Sequence, residues 1–343
     1  MTLPLPVDYA AMEARLVAAL PEGESWQYEP KWDGFRCLAF KDETQIALRS
    51  KSGQPLERYF PEIVAALASL PASRCVLDGE LVVPEDEALS FDELLMRIHP
   101  AESRIRKLSR EHPALYIVFD LLVDDQGRSR VEENLGTRRA ALEAFATKHF
   151  REHPTFRVSP VTRSRRDVDA WFEALGSGLD GAIAKRIDLP YQSGERTGMQ
   201  KYKRMRTADC VVGGFRYGSK TEVVGSLLLG LFDDAGLLHH VGFSSNIAAS
   251  QRTAVTTRLE KLVGGPGFTG QAPGGPSRWS TERSGEWQAL KTELVVEVQY
   301  DHFSGGRFRH GTKFLRWRPD KAPGQCTMAQ VEQEASATLA LLR

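Results

Sequence analysis

The chain has 343 residues, 41% of them apolar and 26% charged, which suits one or two packed domains and excludes a disordered polymer. Lysine plus arginine number 45 and aspartate plus glutamate 45, so the formal net charge is zero and binding of a polyanion by bulk charge is excluded. No apolar run reaches membrane-spanning length, and Met1-Thr2-Leu3-Pro4-Leu5-Pro6 lacks a basic segment followed by an apolar one, so a cytoplasmic protein is expected.

Residues 8–20 carry Tyr9, Met12, Leu16 and Leu20 at helical spacing ahead of Pro21 and Gly23, and predict a first helix. Strand-like runs follow at 26–30, 35–40 and 45–49. Pro61 can open a helix through Ile63, Val64, Leu67 and Leu70. Extended runs at 75–83 and 115–123 flank shorter helical patterns near 90–98 and 102–110, and residues 134–149 and 166–175 read as further helices. After Arg206 the texture changes to apolar or alternating runs at 210–217, 226–232, 237–243 and 294–300, with one helix near 250–263. Several strands with one internal helix suit a small Greek-key barrel of OB type. The Gly/Pro-rich stretch 264–275 predicts a flexible loop, and residues 328–342 a closing helix. The expected division is 1–205, a mixed α+β domain; 206–327, the barrel; and 328–343, a C-terminal helix. Cys37, Cys75, Cys210 and Cys326 are far apart without metal-ligand spacing and read as reduced core thiols.

Chemistry-bearing residues sit at the ends of the strand-like runs. Lys31-Trp32-Asp33-Gly34-Phe35-Arg36 follows the first of them. A lysine amine can act as a covalent nucleophile once neutral. A glycine lets backbone approach phosphate closely, and an arginine supplies a cation that does not titrate. On its own the hexapeptide also fits a solvated β-turn. Asp78-Gly79-Glu80, Phe119-Asp120-Leu121, Asp180-Gly181-Ala182-Ile183-Ala184-Lys185, Lys201-Tyr202-Lys203 and Arg316-Trp317-Arg318-Pro319-Asp320-Lys321 follow in order. Taken singly, Phe119 fits a core aromatic, and Glu80 or Asp180 fits a surface acid beside a turn glycine.

In this order the motifs resemble those of the covalent nucleotidyltransferases, and the Arg-x-Asp-Lys ending resembles the ATP-dependent DNA ligases. The nearest resemblance is to the stand-alone actinobacterial ligase C family, with the ligase domain of ligase D close behind. It covers nearly the whole chain. The resemblance implies a nucleotidyltransferase domain, with ATP-grasp-like antiparallel sheets and helices, followed by an OB-fold. It implies Lys31 as the nucleophile that takes AMP from ATP, with Lys185, Lys201 and Lys203 as the cations around it. Glu29 would lie at the adenine edge, Arg36 and Lys51 on the nucleotide, and Phe119 on the base. Glu80 would contact the ribose or, with Asp180, hold Mg²⁺ or Mn²⁺. Arg316 and Arg318 would orient the β,γ-phosphates as the second domain closes over ATP. Lys51 stands where the family usually has arginine, Asp180 where it usually has glutamate, and Met199 where an aromatic is frequent.

The implied substrate is nicked double-stranded DNA, gripped by the basic islands at 201–206 and 307–318. The implied setting is repair near the nucleoid, by a monomer working with repair polymerases. RNA ligases and capping guanylyltransferases share most of the motifs. A non-catalytic OB-fold nucleic-acid-binding protein with a decayed transferase domain is the rival from another class, and intact Lys31, Glu80, Lys201 and Lys203 speak against it.

Overall fold

The computed structural model describes residues 1–342 except 152, 220, 275–285 and 333–336. The chain divides into two compact units, Met1–Lys203 with Gln333–Arg343, and Arg204–Glu332.

The first unit has strands β1 (Arg15–Val17), β2 (Trp26–Pro30), β3 (Phe35–Asp42), β4 (Gln45–Ser50), β5 (Arg74–Val82), the short β6 (Pro84–Glu85) and β7 (Ala88–Leu89), β8 (Leu115–Val123), β9 (Phe156–Val158), β10 (Gly181–Arg186) and β11 (Met199–Lys203). Its helices are α1 (Pro61–Ser69), α2 (Phe91–Met96), α3 (Glu102–Glu111), α4 (Leu135–His149) and α5 (Arg165–Leu175). Two main sheets result, ordered β4-β3-β5-β8-β9 and β1-β11-β10-β2. All pairs are antiparallel except β1 with β11 and β8 with β9.

Strand alternation explains why the five-stranded sheet is buried on both faces. Cys37 and Ala39 enter the core that contains α1 residues Ile63 and Leu67, while Leu38 and Phe40 enter a second core with Leu5, Met12, Tyr191 and Met199. The four-stranded sheet turns Tyr28, Ala182 and Ala184 toward α5 residues Val168 and Phe172. Its opposite face carries Glu29, Ile183, Lys185 and Lys201, which line a cleft.

Pro61 at the first turn starts α1, and the other end of the helix is closed by a buried lysine. Lys41, near the end of β3, donates to the carbonyls of Leu67 at 2.8 Å, Ala68 at 3.2 Å and Leu70 at 2.8 Å. These carbonyls form the negative end of the helix, so a cation there satisfies both hydrogen bonding and the helix dipole. Lys41→Met is expected to lower stability by about 1–3 kcal/mol, read by urea unfolding, because it takes a charged donor away from three carbonyls. A change within noise would mean that water replaces the ammonium at no cost.

The second unit has β12 (Arg206–Tyr217), β13 (Val224–Phe232), β14 (Leu238–Ser244), β15 (Gln288–Ala289), β16 (Val295–Tyr300), β17 (Phe303–Ser304), β18 (Arg307–Phe308) and β19 (Lys313–Trp317), with helix α6 (Arg252–Glu260). Its main sheet runs β14-β13-β12-β16-β19, with β15 also on β12. Val255 and Leu259 of α6 pack into one core with both faces of β12 and β13. The sheet is an open path, and among the described residues no continuous ladder closes it into a barrel. Among the described residues its edges meet at one parallel bridge, Ser244 to Thr312, where the Ser244 hydroxyl donates to the Thr312 carbonyl at 3.0 Å.

Three sequence expectations are corrected. Residues 8–20 form no helix: Met12 and Leu20 enter different cores, Leu16 is 60% exposed, and Arg15–Val17 pairs as a strand with β11. The described part of 264–275 is not a free loop, since Phe268 is buried in the second core and Gly270 N–H donates to the Leu238 carbonyl; Gly275 lies outside the described residues. Among the described residues of 328–342 no α-helix forms: Met328–Gln330 and Thr338–Leu342 are 3₁₀ turns, and 333–336 lie outside the described residues. Within the second of these, Thr338 and Leu339 give their hydrogen bonds to the Gly178 and Glu87 carbonyls, and Leu341 packs beside Trp26 and Trp32, which ties this piece to the first unit. All four cysteines are buried free thiols. Among the described residues no helix is long and apolar enough to cross a membrane.

Candidate active site

The cleft in the first unit, with room for about 200 Å³, is lined by side chains from both sheets and from the N-terminal segment. Glu29, Lys31, Lys185 and Lys201 come from β2, its end, β10 and β11; Arg36, Lys51, Glu80 and Phe119 come from the region of the five-stranded sheet. Registers Ile183 to Glu29 and Ile183 to Lys201 set the first group side by side, and Arg36 lies directly opposite Glu80. Opposite residues in adjacent strands point to the same face, so a carboxylate and a guanidinium are delivered together.

Lys31 begins where β2 ends, its N–H donating to the Gly181 carbonyl at 3.1 Å. Its ammonium is 3.9 Å from the Asp180 carboxylate, and the side chain is 18% exposed. The nucleophile candidate is thus accessible yet held by an ion pair. Two glycines make this geometry possible: a Cβ on Gly34 would lie 2.2 Å from the Leu81 carbonyl oxygen, and one on Gly181 would lie 2.0 Å from that of Tyr202.

Glu29 is buried with both oxygens occupied, by Lys185 at 2.8 Å and 2.9 Å and by the Gln27 amide at 3.1 Å. The Lys185 ammonium also lies 4.3 Å from the centre of the Phe119 ring, and the Arg36 guanidinium 4.5 Å from it. Phe119 therefore binds two cations through its π-face charge and is only 7% exposed. Lys51 pairs with Glu13 at 3.0 Å, and Arg196 joins the same carboxylate at 2.7 Å. Burial, then Lys51, Lys203 and Lys31, holds the Lys201 amine below the usual lysine range. Lys203 stands opposite Gly181 and is not among the residues lining the cleft.

Glu80 opens onto the cleft but is largely stripped of water. Burial, opposed by Arg36 and Lys31, pushes its carboxyl up to about 7 from an ordinary 4.5. A desolvated carboxylate facing the cleft is a hard oxygen donor that a divalent cation would return to its charged form, so Glu80 fits a Mg²⁺ ligand. Asp180 is engaged with Lys31 instead. The linkage gives a testable sign. Below pH about 4.5 Glu80 is protonated in folded and unfolded chains alike; between 4.5 and 7 the unfolded chain ionises and the folded one resists. Wild-type stability relative to Glu80→Gln should therefore fall as pH rises through this window, by an amount on the order of 1–3 kcal/mol, in metal-free urea melts. A rise, or no trend, would show that the carboxyl is better solvated than its surroundings indicate.

Sequence reasoning missed the layer beneath. Asp78 is fully buried and grips Arg36 with both oxygens at 2.6 Å, while Tyr191 donates its hydroxyl to the same carboxylate at 2.6 Å. The period of two in Asp78-Gly79-Glu80 was the available signal, since it sets both acids on one face of β5. Tyr191, in a loop, gave none. Met12, Glu13 and Ala14 form one wall, and Trp32 is fixed by its indole N–H to Ser159 at 2.9 Å.

Arg316 and Arg318 belong to the second unit. Arg316 pairs with Glu297 at 2.6 Å across β19 and β16 and is 61% exposed. Arg318 pairs with Asp209 at 2.7 Å and with Asp320 at 2.8 Å.

Two family profiles match the chain: "ATP dependent DNA ligase domain" over residues 11–203 and "ATP dependent DNA ligase C terminal region" over 220–321. The chain is 43% identical to DNA ligase C2 of Mycolicibacterium smegmatis over 350 aligned positions, covering 97% of this chain and 96% of that protein. It is 40% identical to DNA ligase C of Mycobacterium tuberculosis, covering 99% and 98%. A solved structure titled "DNA binding with a minimal scaffold: Structure-function analysis of Lig E DNA ligases" superposes with TM-score 0.56 at 18% identity, covering 90% of this chain and 99% of that one, which shows a shared fold. With nucleotidyltransferase and OB-fold domains in that order and both family regions matched, the chain belongs to the ATP-dependent DNA ligases.

Proposed function

We propose that Lys31 carries the AMP in this ligase, and that the first-unit cleft is where ATP is bound and opened. The observation that supports this most is the convergence of Lys31, Glu29, Arg36, Glu80, Phe119, Lys185 and Lys201 on one cleft from six separate segments. Charge suits the substrate: Lys31, Lys51, Lys185, Lys201 and Arg36 bring five cations to a triphosphate, and Phe119 brings a π-face to the base.

In the first step the Lys31 nitrogen attacks the α-phosphorus, the bond to the bridging oxygen breaks, and pyrophosphate leaves while the amine proton is released. Asp180, beside the amine, holds it at the cleft and can accept that proton. Lys201, whose charged form is already disfavoured by burial and by its lysine neighbours, gains most from the arriving anion. In the second step a 5′-phosphate oxygen at the nick takes the AMP from Lys31, and in the third the 3′-hydroxyl displaces AMP and closes the phosphodiester. Mg²⁺ or Mn²⁺, held by Glu80, would neutralise phosphate oxygens. Arg316 and Arg318 are assigned to the β,γ-phosphates of ATP in the first step, and the remaining basic side chains of the islands at 201–206 and 307–318 to DNA phosphates. Nicked duplex is the substrate, and repair alongside a gap-filling polymerase, by a monomer, is the setting that the likeness to stand-alone ligases favours.

The test is incubation with α-labelled ATP and Mg²⁺, then denaturing electrophoresis and mass mapping of the labelled peptide, with α-labelled GTP in parallel. Label from ATP on the peptide containing Lys31 is the expected result. Label from GTP in preference would point to a capping enzyme, and label on another lysine would overturn the assignment.

A further inference from the structure

Asp209, which no motif marks, occupies an unusual position in the second unit. It lies near the start of β12 and is only 8% exposed. Its two oxygens are divided between two cations of one short segment: Oδ1 accepts from Arg318 Nη1 at 2.7 Å and Oδ2 from Lys321 Nζ at 2.8 Å. The backbone beneath it is clamped by one side chain, since its N–H donates to Gln330 Oε1 at 3.1 Å and its carbonyl accepts from Gln330 Nε2 at 3.2 Å. Arg318 spends Nε and Nη2 on Asp320 at 3.0 Å and 2.8 Å, so three of its five N–H groups are fixed by two carboxylates. Arg316, itself exposed, pairs instead with the half-buried Glu297 on the neighbouring strand.

We propose that Asp209 is a positioning residue for the first step: it sets the orientation of Arg318 and Lys321 so that they meet the leaving phosphates of ATP together. This rests on the reading that Arg318 serves those phosphates. A surface ion pair alone would contribute little, but a nearly buried carboxylate bridging two cations removes their rotational freedom before substrate arrives.

The experiment uses the full chain with Asp209→Asn, Asp209→Glu and Arg318→Ala, and the double variant that joins the first and last of these. Self-adenylation is followed as a function of ATP concentration, and sealing of a pre-adenylated nick is followed separately. Asp209→Asn should raise the KM for ATP or slow adenylation by about tenfold or more, with sealing of the pre-adenylated nick within about threefold of wild type. Asp209→Glu should recover most of the loss. Asp209→Asn combined with Arg318→Ala should be worse than Arg318→Ala alone, by the share carried through Lys321, yet fall short of the product of the two single losses, as expected for coupled groups. Intact pre-adenylated sealing also reports that the fold survives. Equal loss in both assays, or adenylation unaffected by Asp209→Asn while Arg318→Ala depresses it, overturns the role of Asp209. Adenylation unaffected by Arg318→Ala removes the reading of Arg318 itself, and this inference with it.

Discussion

Lys31→Ala is expected to abolish covalent labelling by α-labelled ATP and to lower ATP-driven sealing of a nicked duplex by more than about a thousandfold, since no other group supplies the nitrogen of the phosphoramidate. Lys31→Arg should fail equally. It keeps the charge beside Asp180, but a guanidinium does not become a neutral nucleophile. The side chain is 18% exposed and makes one long ion pair, so either change should leave the urea midpoint nearly where it was. Lys31→Ala should still seal a pre-adenylated nick, since that step bypasses transfer of AMP to the amine. Covalent label persisting in the alanine variant would move the chemistry to another lysine of the cleft, with Lys201 the next candidate.

Asp78→Ala should produce the largest loss of stability of any single change near the cleft, about 3–5 kcal/mol in urea unfolding. Its carboxylate is fully buried, chelates Arg36 and accepts from Tyr191. Removing it leaves a guanidinium and a phenol hydroxyl without their acceptor in a site that water enters poorly. Burial alone would pull the Arg36 guanidinium down, but Asp78 outweighs it and holds the cation charged. Asp78→Asn, which preserves shape, should cost less than alanine but still impair labelling, because Arg36 loses its fixed direction beside Phe119. A loss under about 1 kcal/mol for the alanine variant would show that Arg36 swings to solvent, and the layer beneath the cleft would then be less rigid than its distances imply.

The cleft was legible in the sequence to the extent that its residues accompany strand-like runs. The extended runs at 115–123 and 26–30 are strands, although Phe119 and Glu80 lie within β8 and β5 and not at their ends. Arg36 opposite Glu80 follows from antiparallel pairing of two such strands. What could not be read depends on contacts distant in sequence. Tyr9, Met12, Leu16 and Leu20 mimic a helix through their spacing, yet Met12 gives its N–H to the Tyr191 hydroxyl and Glu13 gives its own to Glu195, far along the chain. Tertiary partners override local periodicity there. Asp209 was invisible for the same reason, since its partners stand 109 and 112 residues away.

Gly34 and Gly181 carry no reactive group, yet even one added carbon at either would collide with a neighbouring carbonyl oxygen. In a saturation screen scored by survival, both positions should appear as intolerant as Lys31. A heat map of such a screen would thus mix two kinds of veto, one from reactivity and one from the plain lack of room. Only an assay that scores folding apart from turnover would separate them, and lysines of the cleft, unlike its glycines, should then part company with the scaffold.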